Sequence, residues 1–462
     1  MNILSAVFIP VIVTFGFFPA AYAADSDHQL AQKNNTKNNT SEISLPVESG
    51  GQASLRDVLS EIRQDAPRPS TTRQFDLRSG IQSFNPDISL IISGLYYGDS
   101  NSRGIDDIFS SIDGFQAQDA EVFDKGFQIQ EVELFLSAAV DPYLSAYSTI
   151  VFDEDGAELE EAAVQTTSLP YGLGLKGGKF LSEFSRSNWM HPHDWDFVDR
   201  PLVSNLIFGE DGLNQTGLQL SWLAPTDFQL LLGAEFLQGK NYDTFNHLGR
   251  DDSDGNLKDH SGPRLMVQWA KFSPYLSGDH ETQLGVFHGI GRHQDQWENG
   301  AGSGWLDGYS RFFGPEFVYK YDAPYAYGQH NLAIQGEYIF RRRDLDLDAY
   351  DADPGLIGNS RVDQQDGYYL QATYGIAPRW RAGLRWDQVG LSNRSRFPDN
   401  SRESYRNSHR LATMIDFSPT EFSRFRVQLS RGEYRADGSN EEVYQVMGQM
   451  IIALGAHGAH KF

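Results

Sequence analysis

The chain has 462 residues, no cysteine and a formal net charge of -24. The lack of cysteine removes disulfide and thiolate-metal chemistry, and the acidic balance argues against nucleic acid as a partner, because the average field repels a polyanion. A mean hydropathy of -0.46, with no uncharged apolar run of about 20 residues after residue 23, excludes a helical membrane protein.

Met1–Ala23 carries no charged side chain, runs apolar from Ile3 to Phe18 and ends in Ala21-Tyr22-Ala23. This pattern predicts a secretory signal peptide over residues 1–23, cut before Ala24. Residues 24–85 read as a periplasmic linker. Lys33-Asn34-Asn35-Thr36-Lys37-Asn38-Asn39-Thr40 is a low-complexity polar tract, and its two N-x-T triplets suit a flexible linker better than glycosylation. Leu55, Val58, Leu59 and Ile62 then follow helical spacing behind Ser54, which predicts a short amphipathic helix over 54–64. It either contacts a partner, plugs the mouth of the domain that follows or has no function of its own.

From Asp87 the apolar spacing changes to two. Leu218, Leu220 and Trp222 alternate with Gly217, Gln219 and Ser221. Leu332, Ile334, Tyr338 and Phe340 alternate with Gln335, Glu337 and Arg341, and Phe425, Val427 and Leu429 alternate with Arg424, Arg426 and Gln428. Trp380, Ala382, Leu384 and Trp386 share one face, with Arg379, Arg381 and Arg385 on the other. Such strands have one apolar and one strongly polar face. A soluble sandwich shows the same alternation, so the connections must decide.

Short proline-marked turns recur at Asp141-Pro142, Leu169-Pro170, Ala224-Pro225, Ser273-Pro274, Ala323-Pro324, Ala377-Pro378 and Ser418-Pro419. Proline cannot donate to a ladder and so marks strand ends. Between them lie long polar connections, roughly 98–125, 185–212, 239–261, 293–307, 344–362 and 392–406, and two short ones near 154–157 and 437–439. Short turns on one side and long loops on the other predict an all-β, transmembrane antiparallel β-barrel over 86–462. Seven turns and eight outer connections make about 16 strands. Tyr444, Val446, Met450, Ile452 and Leu454 share one parity with the terminal Phe462. A terminal aromatic closing an amphipathic strand is the expected assembly signal, read by the barrel-assembly machinery.

Gly172-Leu173-Gly174-Leu175-Lys176-Gly177-Gly178-Lys179-Phe180, followed by Trp189 and Arg200-Pro201, resembles the porin family typified by the phosphate-selective porins O and P. The ending Leu454-Gly455-Ala456-His457-Gly458-Ala459-His460-Lys461-Phe462 is similar to short zinc-regulated outer-membrane receptor-like proteins. The resemblance implies a barrel in the Gram-negative outer membrane, in contact with lipid and lipopolysaccharide, that passes small solutes. Homotrimers are common among porins of this size, although no strand is marked as an interface. Rows of lumenal Arg and Lys are what phosphate selectivity needs, and Arg379, Arg381, Arg385, Arg424 and Arg426 are the candidate lumen and selectivity charges. Glu158, Glu160 and Glu161 oppose them on another strand.

The segment Trp189-Met190-His191-Pro192-His193-Asp194-Trp195-Asp196 is the candidate metal site. His191, His193, Asp194 and Asp196 offer the imidazole and carboxylate donors that zinc takes. By position it is the third outer connection, which in porins often folds inward, so these residues equally suit a polar constriction. His457 and His460 form a second histidine pair. Asp344-Leu345-Asp346-Leu347-Asp348 reads as a solvated acidic loop rather than a calcium site. Gly172-x-Gly174-x-x-Gly177 lies within a strand with no helix after it and is not a dinucleotide fingerprint. No catalytic grouping stands out, so no enzyme is expected and no cofactor is required, with zinc the possible metal. The expected function is passive diffusion of small hydrated solutes or ions, linked to zinc or other metal uptake. The alternatives are a plug-less receptor or metal-binding barrel, and then a barrel enzyme.

Overall fold

A computed structural model of the chain describes residues 86–455 apart from 116, 154–155, 250–256, 277 and 300–301. The signal segment 1–23, the linker 24–85 with its helix at 54–64, His457, His460 and Phe462 lie outside the described residues.

The wall begins with β1 (Asp87–Asp99), β2 (Gly126–Ala139), β3 (Leu144–Phe152), β4 (Ala157–Thr166) and β5 (Leu173–Leu181). It continues through β6 (Asn214–Leu223), β7 (Gln229–Leu237), β8 (Leu265–Ser273), β9 (His280–Asn299), β10 (Gly302–Tyr321), β11 (Leu332–Tyr350), β12 (Ser360–Ala377) and β13 (Trp380–Val389). Two three-residue strands, β14 (Arg394–Arg396) and β15 (Arg402–Ser404), form a hairpin inside the next connection. Then β16 (Ser408–Thr420), β17 (Ser423–Ala436) and β18 (Ser439–Gly455) complete the wall. Neighbours pair antiparallel, β13 pairs β16 past the hairpin, and β1 pairs both β2 and β18, so sixteen strands close into a cylinder without an edge. Closure gives each wall strand two hydrogen-bonded neighbours, as lipid requires.

The alternation read from the sequence sorts the two faces. On β6, Leu218 is 56% exposed on the outside and the adjacent Gln219 is 5% exposed on the inside. Leu411 and Ile415 of β16 and Val427 and Leu429 of β17 face out, while Arg410, Asp416, Arg426 and Gln428 are buried inside. The seven proline turns all lie at the end where the described chain begins and stops, since Ser89 pairs with Gly455 and Asp87 with Ser137 beside the first turn.

Two connections differ from expectation. Residues 293–307 and much of 344–362 are strand: β9 and β10 each run 20 residues, β11 19 and β12 18. A bilayer crossing needs about 9–11, so these strands are long enough to carry the wall well past the bilayer. The acidic stretch is therefore no loop. Asp344 takes Arg342 at 2.7 Å and Arg311 at 2.9 Å, while Leu345 and Leu347 are buried against Leu306 and Trp297. Strict Asp/Leu alternation with an apolar partner sheet satisfies a ladder better than a solvated turn.

The glycine-rich run forms the turn before β5 and β5 itself. Gly178 has φ 141°, and a Cβ there would meet the Ala162 carbonyl oxygen at 2.1 Å. The close β4–β5 approach requires glycine. Gly178→Ala is expected to lower barrel stability by about 1–3 kcal/mol, read as a lower urea midpoint for unfolding in vesicles, whereas Gly126→Ala, where a Cβ meets nothing within 4 Å, isolates the backbone cost alone.

The barrel interior is not a simple polar lumen. Helix α1 (Ile105–Ser110), in the β1–β2 connection, buries Ile105, Ile108 and Phe109 at helical spacing. The β5–β6 connection carries α2 (Arg186–Trp189) and α3 (Leu202–Phe208), and every residue of α3 is buried. Leu206, Ile207 and Phe208 join Phe184, Phe287 and Phe312 in an apolar cluster that takes in residues of β1, β4, β5, β7 to β13, β17 and β18. A helix buried on every side, Ser204 and Asn205 included, must be enclosed, and here the enclosure is the barrel.

Candidate functional site

The β5–β6 connection crosses the interior as a bar, held at both ends by wall side chains. At its start the backbone N–H groups of Arg186 and Ser187 donate to Glu316 of β10 (2.8 Å) and Glu337 of β11 (2.8 Å). These are the orphan donors of a helix start, capped by carboxylates from another element. At its far end Asp199 receives Arg385 of β13 at 2.6 Å, Arg410 of β16, and Gln428 of β17 at 2.8 Å. Asp387 links the same two arginines at 3.0 and 3.2 Å and accepts the Leu202 N–H, at the start of α3, at 2.9 Å. Asp199 lies on the connection, outside the wall strands. Burial raises its pKa, but the Arg385 and Arg410 guanidinium groups outweigh burial and lower it to about 2.

The five candidate arginines have different roles. Arg381 bridges Asp196 of the connection (2.9 Å) and Asp416 (2.6 Å), and Arg385 forms the clamp. Arg426 donates to the Trp195 carbonyl at 2.7 Å, and Arg424 to the His193 carbonyl at 3.2 Å. These four point inward but grip the connection. Arg379 is no lumen residue: it sits at the β12–β13 turn, exposed, with its guanidinium 4.4 Å from the Tyr327 ring centre. Arg410 was not singled out by sequence, although it shares the inward parity of Asp416.

The candidate metal residues split in the same way. Asp196 serves Arg381 and the Gln371 amide, and is remote in role from the histidines. Asp194 is 3.7 Å from His193 Nε2. His191 and His193 stack at 5.7 Å between ring centres and face the opposite wall of carboxylates. His191 Nδ1 lies 3.2 Å from Glu160 Oε2 and 3.5 Å from Glu133 Oε2, and His191 Nε2 lies 3.1 Å from Glu161 Oε2. His193 Nδ1 lies 3.1 Å from Glu133 Oε2 and 3.9 Å from Glu131 Oε1. Burial opposes protonation of both rings. The surrounding glutamates outweigh it, raising His191 well above the ordinary range and His193 to about 9.

Glu131 and Glu133 were missed, although their spacing of two on an inward face of β2 was readable. Glu160 was not placeable by parity. The β3–β4 register skips from Thr149–Glu161 to Ile150–Leu159, so Glu160 is the extra residue of a bulge and joins Glu161 on the histidine side. Bulges re-aim side chains in this way.

Two recesses flank the bar at the proline-turn end and share Trp189 and Asp194. One, of about 460 Å³, holds Glu133, Glu161, Glu183, His191 and His193. The other, about 300 Å³, holds Arg186, Lys320, Arg381 and Arg424 with Asp196. The first recess also holds Lys176 and the second Asp194 and Asp322, so carboxylates outnumber lysine and arginine side chains in the first recess but not in the second.

No family model matches the chain. An uncharacterized protein of Aquifex aeolicus (strain VF5) is 34% identical over 401 residues, covering 82% of this chain and 81% of that protein. The chain belongs to the family of that Aquifex protein. Among solved structures, the chain is similar to the outer membrane channel DcaP of Acinetobacter baumannii (TM-score 0.49, 11% identity, 80% of this chain and 96% of that one). It is also similar to OmpT, an outer membrane protein of Vibrio cholerae (0.47, 10%, 80% and 97%), and to OprB of Pseudomonas putida (0.45, 13%, 82% and 96%). This family member carries buried charged side chains inside a closed wall, on both sides of an inward connection.

Proposed function

We propose that the protein is an outer-membrane channel for small hydrated solutes, non-enzymatic, whose conduction is set by the β5–β6 connection. The observation that carries this is the sorting of faces: apolar side chains on the outside of a closed wall, and charged side chains on the inside, flanking an inward connection. A wall of that kind is stable only with lipid outside and water or protein inside. Opposed charged walls act on which solutes pass. Of the inward arginines, Arg381, Arg385, Arg410 and Arg426 grip the connection or neighbouring carboxylates, so the reading extends to small solutes in general rather than to phosphate.

The apolar cluster around α3 favours a second reading, a barrel that stays closed and acts as a receptor. Planar-bilayer recording of the purified mature chain separates them. Discrete conductance steps, infrequent because the connection must shift, are expected for the channel. A barrel silent at every applied voltage, in the wild type and in Asp199→Asn alike, would remove the channel reading and favour the closed receptor.

A further inference from the structure

We propose that the wall of the larger recess binds a first-row transition-metal dication through His191 Nδ1, Glu133 and Glu160, and that His193 and Glu131 form a second half-site bridged to the first by Glu133. This deepens the channel reading by naming a solute or ligand class, yet it stands on side-chain geometry alone.

Three separate segments deliver the donors: β2, the bulge of β4, and the connection. The donor atoms of each half-site lie within 4.8 Å of one another. Metal–ligand distances of about 2.0–2.2 Å in a tetrahedron put neighbouring donor atoms about 3.3–3.6 Å apart. His191 Nδ1 stands 3.2 and 3.5 Å from its two carboxylate oxygens, and Glu133 Oε2 stands 3.1 Å from His193 Nδ1.

In the metal-free protein the rings and carboxylates are held together as ion pairs. The buried atoms Glu133 Oε2, Glu160 Oε2, Glu131 Oε1 and His191 Nδ1 lack a hydrogen-bond partner of normal geometry. Glu133 itself is 3% exposed. Ion pairs to protonated rings leave these buried oxygens poorly directed, and a dication that displaces the ring protons binds them at the shared centre.

His191 supplies the second argument. Its Nε2 lies 3.1 Å from Glu161 Oε2, in hydrogen-bond geometry. An Nε2–H donated to that carboxylate leaves Nδ1 as the ring atom facing Glu133 and Glu160, and a metal ion binds there by displacing the Nδ1 proton. Metal-bound histidines are oriented by this arrangement, with the far N–H held by a carboxylate. Glu161 is itself fixed by the Leu181 N–H at 2.9 Å. Imidazole among the donors selects a transition metal over calcium or magnesium, which take oxygen. The neighbouring recess, lined by Glu133, Glu161 and both histidines, gives an ion a way in.

The test is isothermal titration of the mature full-length chain, chelator-stripped in detergent, with zinc chloride, alongside X-ray absorption of the loaded protein. Zinc is expected to bind with mixed nitrogen and oxygen ligation, and an excess of calcium should not displace it. Glu133→Gln, close to isosteric, and His191→Ala are each expected to weaken binding by the folded barrel at least tenfold. Glu161→Gln should weaken it by about 10–100-fold without removing a ligand from the absorption spectrum. No zinc uptake, equal displacement by calcium, or wild-type affinity in both Glu133→Gln and His191→Ala would overturn the proposal. Binding is measured without transport, so a silent bilayer leaves this result standing, and a conducting barrel that ignores zinc defeats the metal site alone.

Discussion

Asp199→Asn is expected to raise the open-channel frequency of the barrel by about two orders of magnitude or more. Asp199 is the point where the inward connection meets three wall strands, through Arg385, Arg410 and Gln428. Removing its charge leaves two buried guanidinium groups with Asp387 as their remaining carboxylate. Breaking a buried pair by deleting one partner costs about 3–5 kcal/mol, since the other charge stays desolvated. The wall is a hydrogen-bonded cylinder that does not depend on this contact, so the loss falls on the docked connection. At 1.4 kcal/mol per tenfold, its displaced population rises by about two to three and a half orders of magnitude. The measurements are single-channel recording and limited proteolysis of the connection in intact vesicles. Expected results are frequent openings and faster cleavage within 182–213. A conductance record and a cleavage rate identical to wild type would show that the clamp does not hold the channel shut.

Leu220→Arg should block assembly or unfold the barrel at far lower urea, while Ser221→Arg, one residue along the same strand, should do neither. Leu220 is 48% exposed on the outer face of β6, and Ser221 has the inward parity of the buried Gln219. Arginine on the lipid face costs about 2–4 kcal/mol near the bilayer midplane and much less in a watery interior. A soluble protein predicts the opposite, because an exposed leucine on a water-facing strand accepts arginine at little cost. The comparison is the yield of folded barrel in the outer-membrane fraction and the urea midpoint in lipid vesicles. Equal behaviour of the two variants would remove the lipid-facing assignment and the channel reading with it.

The barrel was legible because its signal is local. Leu218 and Gln219 take opposite faces from a period of two, and proline at Pro142 or Pro225 ends a strand whatever surrounds it. Sixteen strands, an apolar outside and the short-turn end that holds both chain ends of the barrel follow from such neighbours along the chain. Residues 293–307 and 344–362 read as loops because their polarity resembles that of a turn. Only pairing across β9 to β12 keeps them extended, and pairing partners are distant in sequence.

The candidate site was legible in part for the same reason. His191 and His193 were visible as donors, but the carboxylates they face, Glu131, Glu133 and Glu160, belong to strands that meet the connection only after the wall closes. A parity count cannot see the bulge that turns Glu160 inward. The arginines on the inward face were identifiable as inward from alternation, apart from Arg379, which a turn takes out of register. Whether an inward guanidinium meets water, a solute or Asp199 depends on where the β5–β6 connection folds. Its fold is decided by the enclosure of α3 and by long-range ion pairs, whereas the alternation of β-strands is written residue by residue.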